Sequence, residues 1–380
     1  MIKLLPVTII SFIFAAISHY MSDYDQINGT YRRKERLFAT LTAVTLILFC
    51  GLRVFYNDTG AYRHIYQTVV NSLPTQNSLF EDLEWLKIGE NPGFYLIMRI
   101  MGKLGFSVQT FLLAFAAFTV GANVWFFHKY SCHFFVSIAL FVTFAGYTLT
   151  LAAVKQCAAM AICLIATDRA IRKKYLRFLL LVLLSCTIHP YSLMYLVVPF
   201  LFFQPWSKST VFMLIAFALI GIGLEALIGT ILNVTDMLGE SYDANSFIGE
   251  GVNPIRLLVA AVPVVLALLN RDAIRKHEEK DQYAMVNLTM LNAEIMFVAL
   301  FGTANFFARL ANYFIPFQAV SLPWLFKQFH IESKRTITVV ALFCYVLFFI
   351  YNNAVAEKFD YFFSSISFLD YLKSIFEGIL

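Results

Sequence analysis

The sequence predicts an all-α, polytopic membrane protein: a helical bundle of about twelve transmembrane helices with amphipathic helices on its outer side. Three observations lead there. The 380 residues are 59% hydrophobic and 14% charged, with mean hydropathy +0.70, and a soluble domain needs far more polar surface than that. Apolar runs of roughly 17–25 residues, the length that spans a bilayer, recur along the chain. Lys and Arg gather in a few short segments between those runs, as they do in loops on the cytoplasmic side.

Segments 4–21, 37–54, 107–127, 133–151, 154–170, 209–231, 254–270, 284–302, 306–326 and 336–352 are each long enough to cross. The first has no clear cleavage site and reads as an uncleaved span. TYRRKER (30–36), DRAIRKKYLR (168–177), RDAIRKHEEK (271–280) and KQFHIESKR (327–335) are basic and are assigned to the cytoplasm. Loop 55–91 has five acidic residues against Arg63 and Lys87, and loop 234–251 has four acidic residues and no Lys or Arg; both are assigned outside. Parity then decides the ambiguous pieces. Segment 92–104 does not cross and reads as an interfacial helix, with Asn91 as N-cap and Pro92 in the first turn. Segment 175–204 must cross twice, as short helices 175–188 and 191–204 with a turn at His189-Pro190, because Pro190 cannot donate a hydrogen bond and disfavours helix at His189. The tail 353–380 reads as an interfacial helix, and the N-terminus falls outside. The chain is one multi-pass domain over 1–380.

This topology brings costly polar residues to one level. Lys155 and Gln156 open the span 154–170, and His189 sits at the hairpin tip. Asn305, Arg309, Asn312 and Tyr313 recur at helical spacing. Arg53 ends the second span. Asp58, Tyr62 and Tyr66 share a face of a helix capped by Asp58 or Thr59, and Glu90 precedes the interfacial helix. Cations at membrane depth usually face a bundle interior or a wet cavity, and several converging there suit a lipid phosphate. Plainer readings stand beside this one. Lys155 and Arg53 can snorkel to headgroups, and His189 can serve a turn. Asp58 can act only as a cap, and the Asn305/Arg309/Asn312 stripe can join helices. Glu225 and Glu294 read as pairing residues, with an acid/base role in reserve. Cys50, Cys132, Cys157, Cys163, Cys186 and Cys344 show no metal or disulfide spacing and read as small apolar groups. No basic patch interleaved with exposed aromatics is present, which excludes nucleic acid as a partner.

The order DTGAY (58–62), ENPGFYLI (90–97), VKQCAAMA (154–161), RFLL (177–180), IHPYSL (188–193) and NFFARLANYF (305–314) resembles the EpsG family of Wzy-like polysaccharide polymerases over most of the chain. The family commonly has Arg-Gln where this chain has Lys155-Gln156, and Gly-Thr-Asp where this chain has Asp58-Thr59-Gly60. The resemblance implies a GT-C-like glycosyltransferase of the bacterial inner membrane. It would join undecaprenyl-pyrophosphate-linked oligosaccharides on the extracytoplasmic side, with a chain-length regulator as a candidate partner. In that chemistry Lys155 and Arg309, helped by Arg53, stabilise the departing pyrophosphate. His189, whose reference pKa of about 6.5 suits a base, takes the acceptor proton, with Glu90 or Asp58 orienting or replacing it. Tyr62, Tyr66 and Tyr191 contact sugars, with Gln156, Asn305, Asn312 and Tyr313 as further contacts. No metal or other cofactor is required. The rivals are an O-antigen ligase, a lipid-linked-oligosaccharide flippase and a membrane acyltransferase, whose chemistry a lone membrane-level His can serve. The flippase would be expected to show paired halves with broken helices at corresponding positions, and no such repeat is visible.

Overall fold

The structure is a computed structural model that describes residues 1–25, 30–71, 91–237, 251–276, 279–302 and 304–377. It is mainly helical, as expected. The first elements are α1 (Leu5–Met21), α2 (Leu37–Gly51), α3 (Thr59–Asn71), α4 (Pro92–Lys103) and α5 (Val108–Tyr130). Next come α6 (Phe134–Thr143), α7 (Gly146–Ala152), α8 (Val154–Ile171), α9 (Tyr175–Cys186) and a 3₁₀ segment, Pro190–Phe200. Then follow α10 (Lys208–Ile222), α11 (Leu224–Met237), α12 (Pro254–Leu269), α13 (Arg271–Ile274), α14 (Lys280–Val298), α15 (Ala304–Asn312) and α16 (Ile315–Lys327). The chain closes with α17 (Ile331–Ile350), a π turn at Tyr351–Ala356, α18 (Phe359–Phe362) and α19 (Phe368–Glu377).

Local chemistry sets several starts. Ser107 caps α5 by accepting the Thr110 N–H at 3.2 Å. Asn253 caps α12 by accepting the Ile255 N–H at 2.9 Å, with Pro254 in the first turn. Two small antiparallel pairings were not expected: β1 (Asp23–Asp25) with β2 (Thr30–Arg33), and β3 (Arg53–Phe55) with β4 (Ser364–Ser365). The second ties the tail to the end of α2, so the tail is not one interfacial helix.

Among the described residues, two helices, Val108–Tyr130 and Glu332–Ala356, are long and apolar enough to cross a membrane alone, and up to four spans qualify if each bent pair counts as one. The chain is a membrane protein. Several expected spans are broken. Residues 133–151 form α6 and α7, bent by 53° where Ala145 takes a left-handed conformation (φ 61). Residues 209–231 are cut into α10 and α11 around Gly223, and 306–326 into α15 and α16 at Tyr313–Phe314. The His189-Pro190 turn does divide 175–204, but its second limb is 3₁₀, with Pro199 inside it. The two limbs pack against each other.

One end of the bundle collects the basic segments. The Lys34 ammonium donates to the carbonyls of His128, Lys129 and Ser131 at 2.5, 3.0 and 3.3 Å. The Asp168 carboxylate, 1% exposed, accepts from Lys129 and Tyr130 and pairs with Arg169 and Arg172, both at 3.2 Å. Gln282 reaches the Tyr130 carbonyl, and Trp324 Nε1 donates to Glu279 at 2.9 Å. The opposite end collects the N-terminus and the tail. The Met1 amino group pairs with Asp360, and Lys3 donates to the Asp360 and Phe363 carbonyls at 2.8 and 2.7 Å.

Between these ends the packing is aromatic, with Trp324, Tyr147, Tyr195, Tyr345 and Phe317 fully enclosed. Buried amides serve backbone groups where helices stop. Asn287 donates to the Leu201 and Phe203 carbonyls, each at 2.8 Å, as the chain leaves the 3₁₀ segment. Asn292 donates to the Ala311 carbonyl at 2.7 Å near the end of α15. An unsatisfied buried carbonyl costs about 1–3 kcal/mol. Asn287→Leu keeps the side chain's approximate volume and strands two of them, so the thermal unfolding midpoint in detergent is expected to fall by several degrees. An unchanged midpoint would show that these bonds do not hold the second limb.

Candidate functional site

The site is built where helices stop at the end opposite the basic segments. α7 ends at Ala152, and α8 restarts at Val154, which puts Lys155 in its first turn. α9 ends at Cys186. The His189 N–H then returns to the Ser185 carbonyl at 3.0 Å, and His189 itself is extended (φ −154) ahead of Pro190. α15 ends at Asn312, so Tyr313 leaves the helix axis.

These breaks bring together residues far apart in sequence. His189, 4% exposed, shares a hydrogen bond of 2.8 Å between Nδ1 and the Tyr313 hydroxyl. The Tyr191 ring stands edge-on to the imidazole, with centroids 4.8 Å apart. Burial and the Lys155 and Arg309 cations push the His189 imidazole down to about 3. Gln156 donates to the Arg309 carbonyl at 2.5 Å, which fixes α15 against the start of α8. The Tyr62 hydroxyl accepts the Lys155 backbone N–H, and burial raises its pKa to about 12.

Asn91 is a residue whose role the sequence reading missed. It was expected to cap α4, yet its side chain makes no cap bond and its backbone is left-handed (φ 56). With its amide turned to satisfy both ends, its oxygen accepts from the Lys155 ammonium at 3.0 Å and its nitrogen donates to the Ile188 carbonyl at 3.0 Å. Next along the chain, the Gly93 N–H donates to the Thr187 carbonyl at 2.8 Å. A Cβ on Gly93 would lie 2.2 Å from Thr187 Oγ1, so only glycine permits this approach. The start of α4 is therefore docked on the hairpin tip and on Lys155. The signal was present as Asn-Pro-Gly, but the partner of that turn was not.

Other expected residues fall elsewhere. Arg53 is 1% exposed; its Nε donates to Thr59 Oγ1 at 3.0 Å and its Nη1 to the Cys50 carbonyl at 2.5 Å. It locks the α2–α3 junction, and it is not among the cations acting on His189. Tyr66 donates to the Phe106 carbonyl at 2.7 Å and stacks on Phe111 at 4.8 Å, which joins α3 to α5. Asp58 is exposed at the start of α3, and its charge acts on Tyr62. The expected single stripe of Asn305, Arg309, Asn312 and Tyr313 is divided. Arg309 is exposed, Asn312 lines a separate cavity, and Tyr313 turns in to His189. Glu90 and the side chains of Asn305 and Glu225 lie outside the described residues. Glu294 is buried in α14, and neither carboxylate oxygen has a hydrogen-bond partner among the described residues.

The mainly helical membrane protein thus holds a buried imidazole on which a lysine and an arginine both act. The chain belongs to the EpsG family, which matches residues 36–371, nearly the whole length. EpsG is a family of Wzy-like polymerases, so the chain belongs with glycosyltransferase-type polymerases of exopolysaccharide synthesis. No curated protein and no solved structure matches it.

An unperturbed histidine titrates near 6.5. Because the pKa of His189 is depressed, its ring is expected to stay neutral from pH 8 to pH 5. Lys155→Ala removes one opposing charge and should move the titration upward. NMR of labelled histidine in detergent checks this. A wild-type His189 titration near 6.5, or no upward movement in the variant, would contradict the cation–imidazole coupling.

Proposed function

We propose that the protein polymerises oligosaccharide repeat units carried on undecaprenyl pyrophosphate, at the outer face of the bacterial inner membrane. The observation that carries this reading is the buried His189, hydrogen-bonded to Tyr313, beside the hairpin tip where Asn91 holds Lys155 and Gln156 holds the Arg309 backbone. The grouping of the basic segments at the opposite end, with Lys and Arg favouring the cytoplasm, supports an extracytoplasmic site. About twelve crossings follow if the short helices and the 3₁₀ limb also traverse the bilayer.

In the reaction, an acceptor hydroxyl on one lipid-linked unit attacks the anomeric carbon of the growing chain. The bond from that carbon to the pyrophosphate oxygen breaks, and the lipid pyrophosphate leaves with the bonding electrons. Negative charge grows on the leaving oxygen, so catalysis needs fixed positive charge there. Lys155 offers a point charge steadied by Asn91. Arg309 offers a planar fork that matches phosphate oxygens, and its exposure leaves that fork open. The acceptor proton goes to His189. For Nε2 to receive it, Nδ1 must carry the ring proton and donate to the Tyr313 hydroxyl. The bound pyrophosphate offsets the two cations and so raises the basicity of His189 when the donor is in place. The base is thereby strengthened by its own substrate.

Removing one such preorganised charge typically costs ~10²–10³ in rate. Arg309→Ala and His189→Ala are each expected to abolish long polymer in cells while single repeats and protein abundance persist. Glycan length on gels, beside membrane immunoblots, reads the outcome. Full-length polymer from both variants would remove these residues from the reaction and with them this reading.

A further inference from the structure

A polar cavity of about 180 Å³ is lined in part by the elements that carry the cationic site. Its lining includes Tyr56, Arg256, Asn312, Phe348, Asn352 and Glu357. The two sites share their walls. Asn312 lies three residues beyond Arg309 on α15, about 5 Å along the helix axis. Ala152, which ends α7, lines the cavity three residues before Lys155. The polar groups come from distant elements. Arg256 on α12 donates to Glu357 at 2.8 Å and reaches Asn352 Oδ1 at 3.4 Å. Asn352 and Glu357 are held together by the π turn, in which the Glu357 N–H bonds the Asn352 carbonyl five residues back at 2.8 Å. Such turns interrupt a helix at a cost and recur at functional positions.

The chemistry of the lining is specific. Arg256 and Glu357 cancel in charge, so the cavity does not repeat the anion preference of the Lys155–Arg309 site. Asn352 is 2% exposed, and its amide nitrogen donates to nothing among the described residues. The Asn312 amide makes no hydrogen bond among them either. Amides and a carboxylate offer both donors and acceptors, which vicinal hydroxyls need. Tyr56 and Phe348 add rings for the C–H face of a sugar. The volume is below that of drug-sized sites, ~300–1000 Å³, which limits the occupant to a single sugar ring.

We infer that this cavity holds an uncharged sugar ring of the acceptor oligosaccharide and presents its hydroxyl toward His189, an assignment that rests on the polymerase reading above. Donor and acceptor then occupy adjoining compartments of opposite character, one cationic and one neutral and hydrogen-bonding.

The test uses the full chain in nanodiscs and, as probe, the repeat-unit oligosaccharide released from the producing strain's own exopolysaccharide, free of lipid and phosphate. Affinity is measured by isothermal titration. The wild type is expected to bind the fragment. Asn312→Ala and Glu357→Gln should each weaken binding at least tenfold, whereas Lys155→Ala and Arg309→Ala leave it within twofold. Asn57→Gly, at an exposed rim position that is already left-handed (φ 46), gives a variant that spares the bundle and should weaken binding severalfold. No wild-type binding at millimolar fragment would overturn the assignment. So would affinities unchanged in Asn312→Ala, Glu357→Gln and Asn57→Gly proteins that melt like wild type. Either result leaves the polymerase reading standing, since that falls only if His189→Ala and Arg309→Ala still polymerise.

Discussion

A helix that stops inside an apolar bundle leaves carbonyls and N–H groups without partners, and lipid offers none. That constraint organises this protein. Three of the interruptions are met by side chains from other elements: Asn287 at the end of the 3₁₀ limb, Asn292 and Gln156 on the carbonyls near the end of α15, and Asn91 on the carbonyl before His189. The same interruptions release side chains from helical periodicity. Lys155, His189 and Tyr313 converge because each sits at or beside a break, where no regular helix face fixes its direction. Closing the breaks costs buried amides, and the return is a polar site inside an apolar fold.

Electrostatics then sharpens what the breaks assemble. The Lys155 and Arg309 cations act on an imidazole that is itself buried, where Coulomb terms are stronger than in water. Burial and both cations oppose protonation of His189, and an anion bound between the cations would relieve that opposition. Arg53 shows the contrast. It is equally cationic and equally close to the end of a span, but it is spent on Thr59 and the Cys50 carbonyl and acts as a structural bolt.

Much of this was legible in the residues. Apolar runs located the helices, the basic segments located one end, and Pro190 located the turn at His189. The expected topology put Lys155, Arg309 and His189 at one level, and in the structure both cations act on the His189 ring. The limits are equally physical. The break at Gly223 lies in a uniformly apolar run, where hydropathy carries no information about direction. The pairing of β3 with β4 joins residues more than three hundred apart, and the Arg256–Glu357 pair joins residues about a hundred apart, so no local pattern announces either. Arg53 and Arg309 look alike in sequence as arginines near span ends. Only their neighbours separate a buried strut from an open ligand.

The central claim is that Lys155, His189 and Arg309 form one compartment for a lipid pyrophosphate, and its most direct measurement is ligand binding without turnover. Purified protein in nanodiscs can be titrated with geranyl pyrophosphate and geranyl monophosphate while the labelled His189 ring is followed by NMR. Saturable binding that favours the pyrophosphate, shifts His189 toward protonation, and disappears in both Lys155→Ala and Arg309→Ala is expected. Pyrophosphate binding that survives both substitutions, or that leaves His189 unmoved, would contradict it.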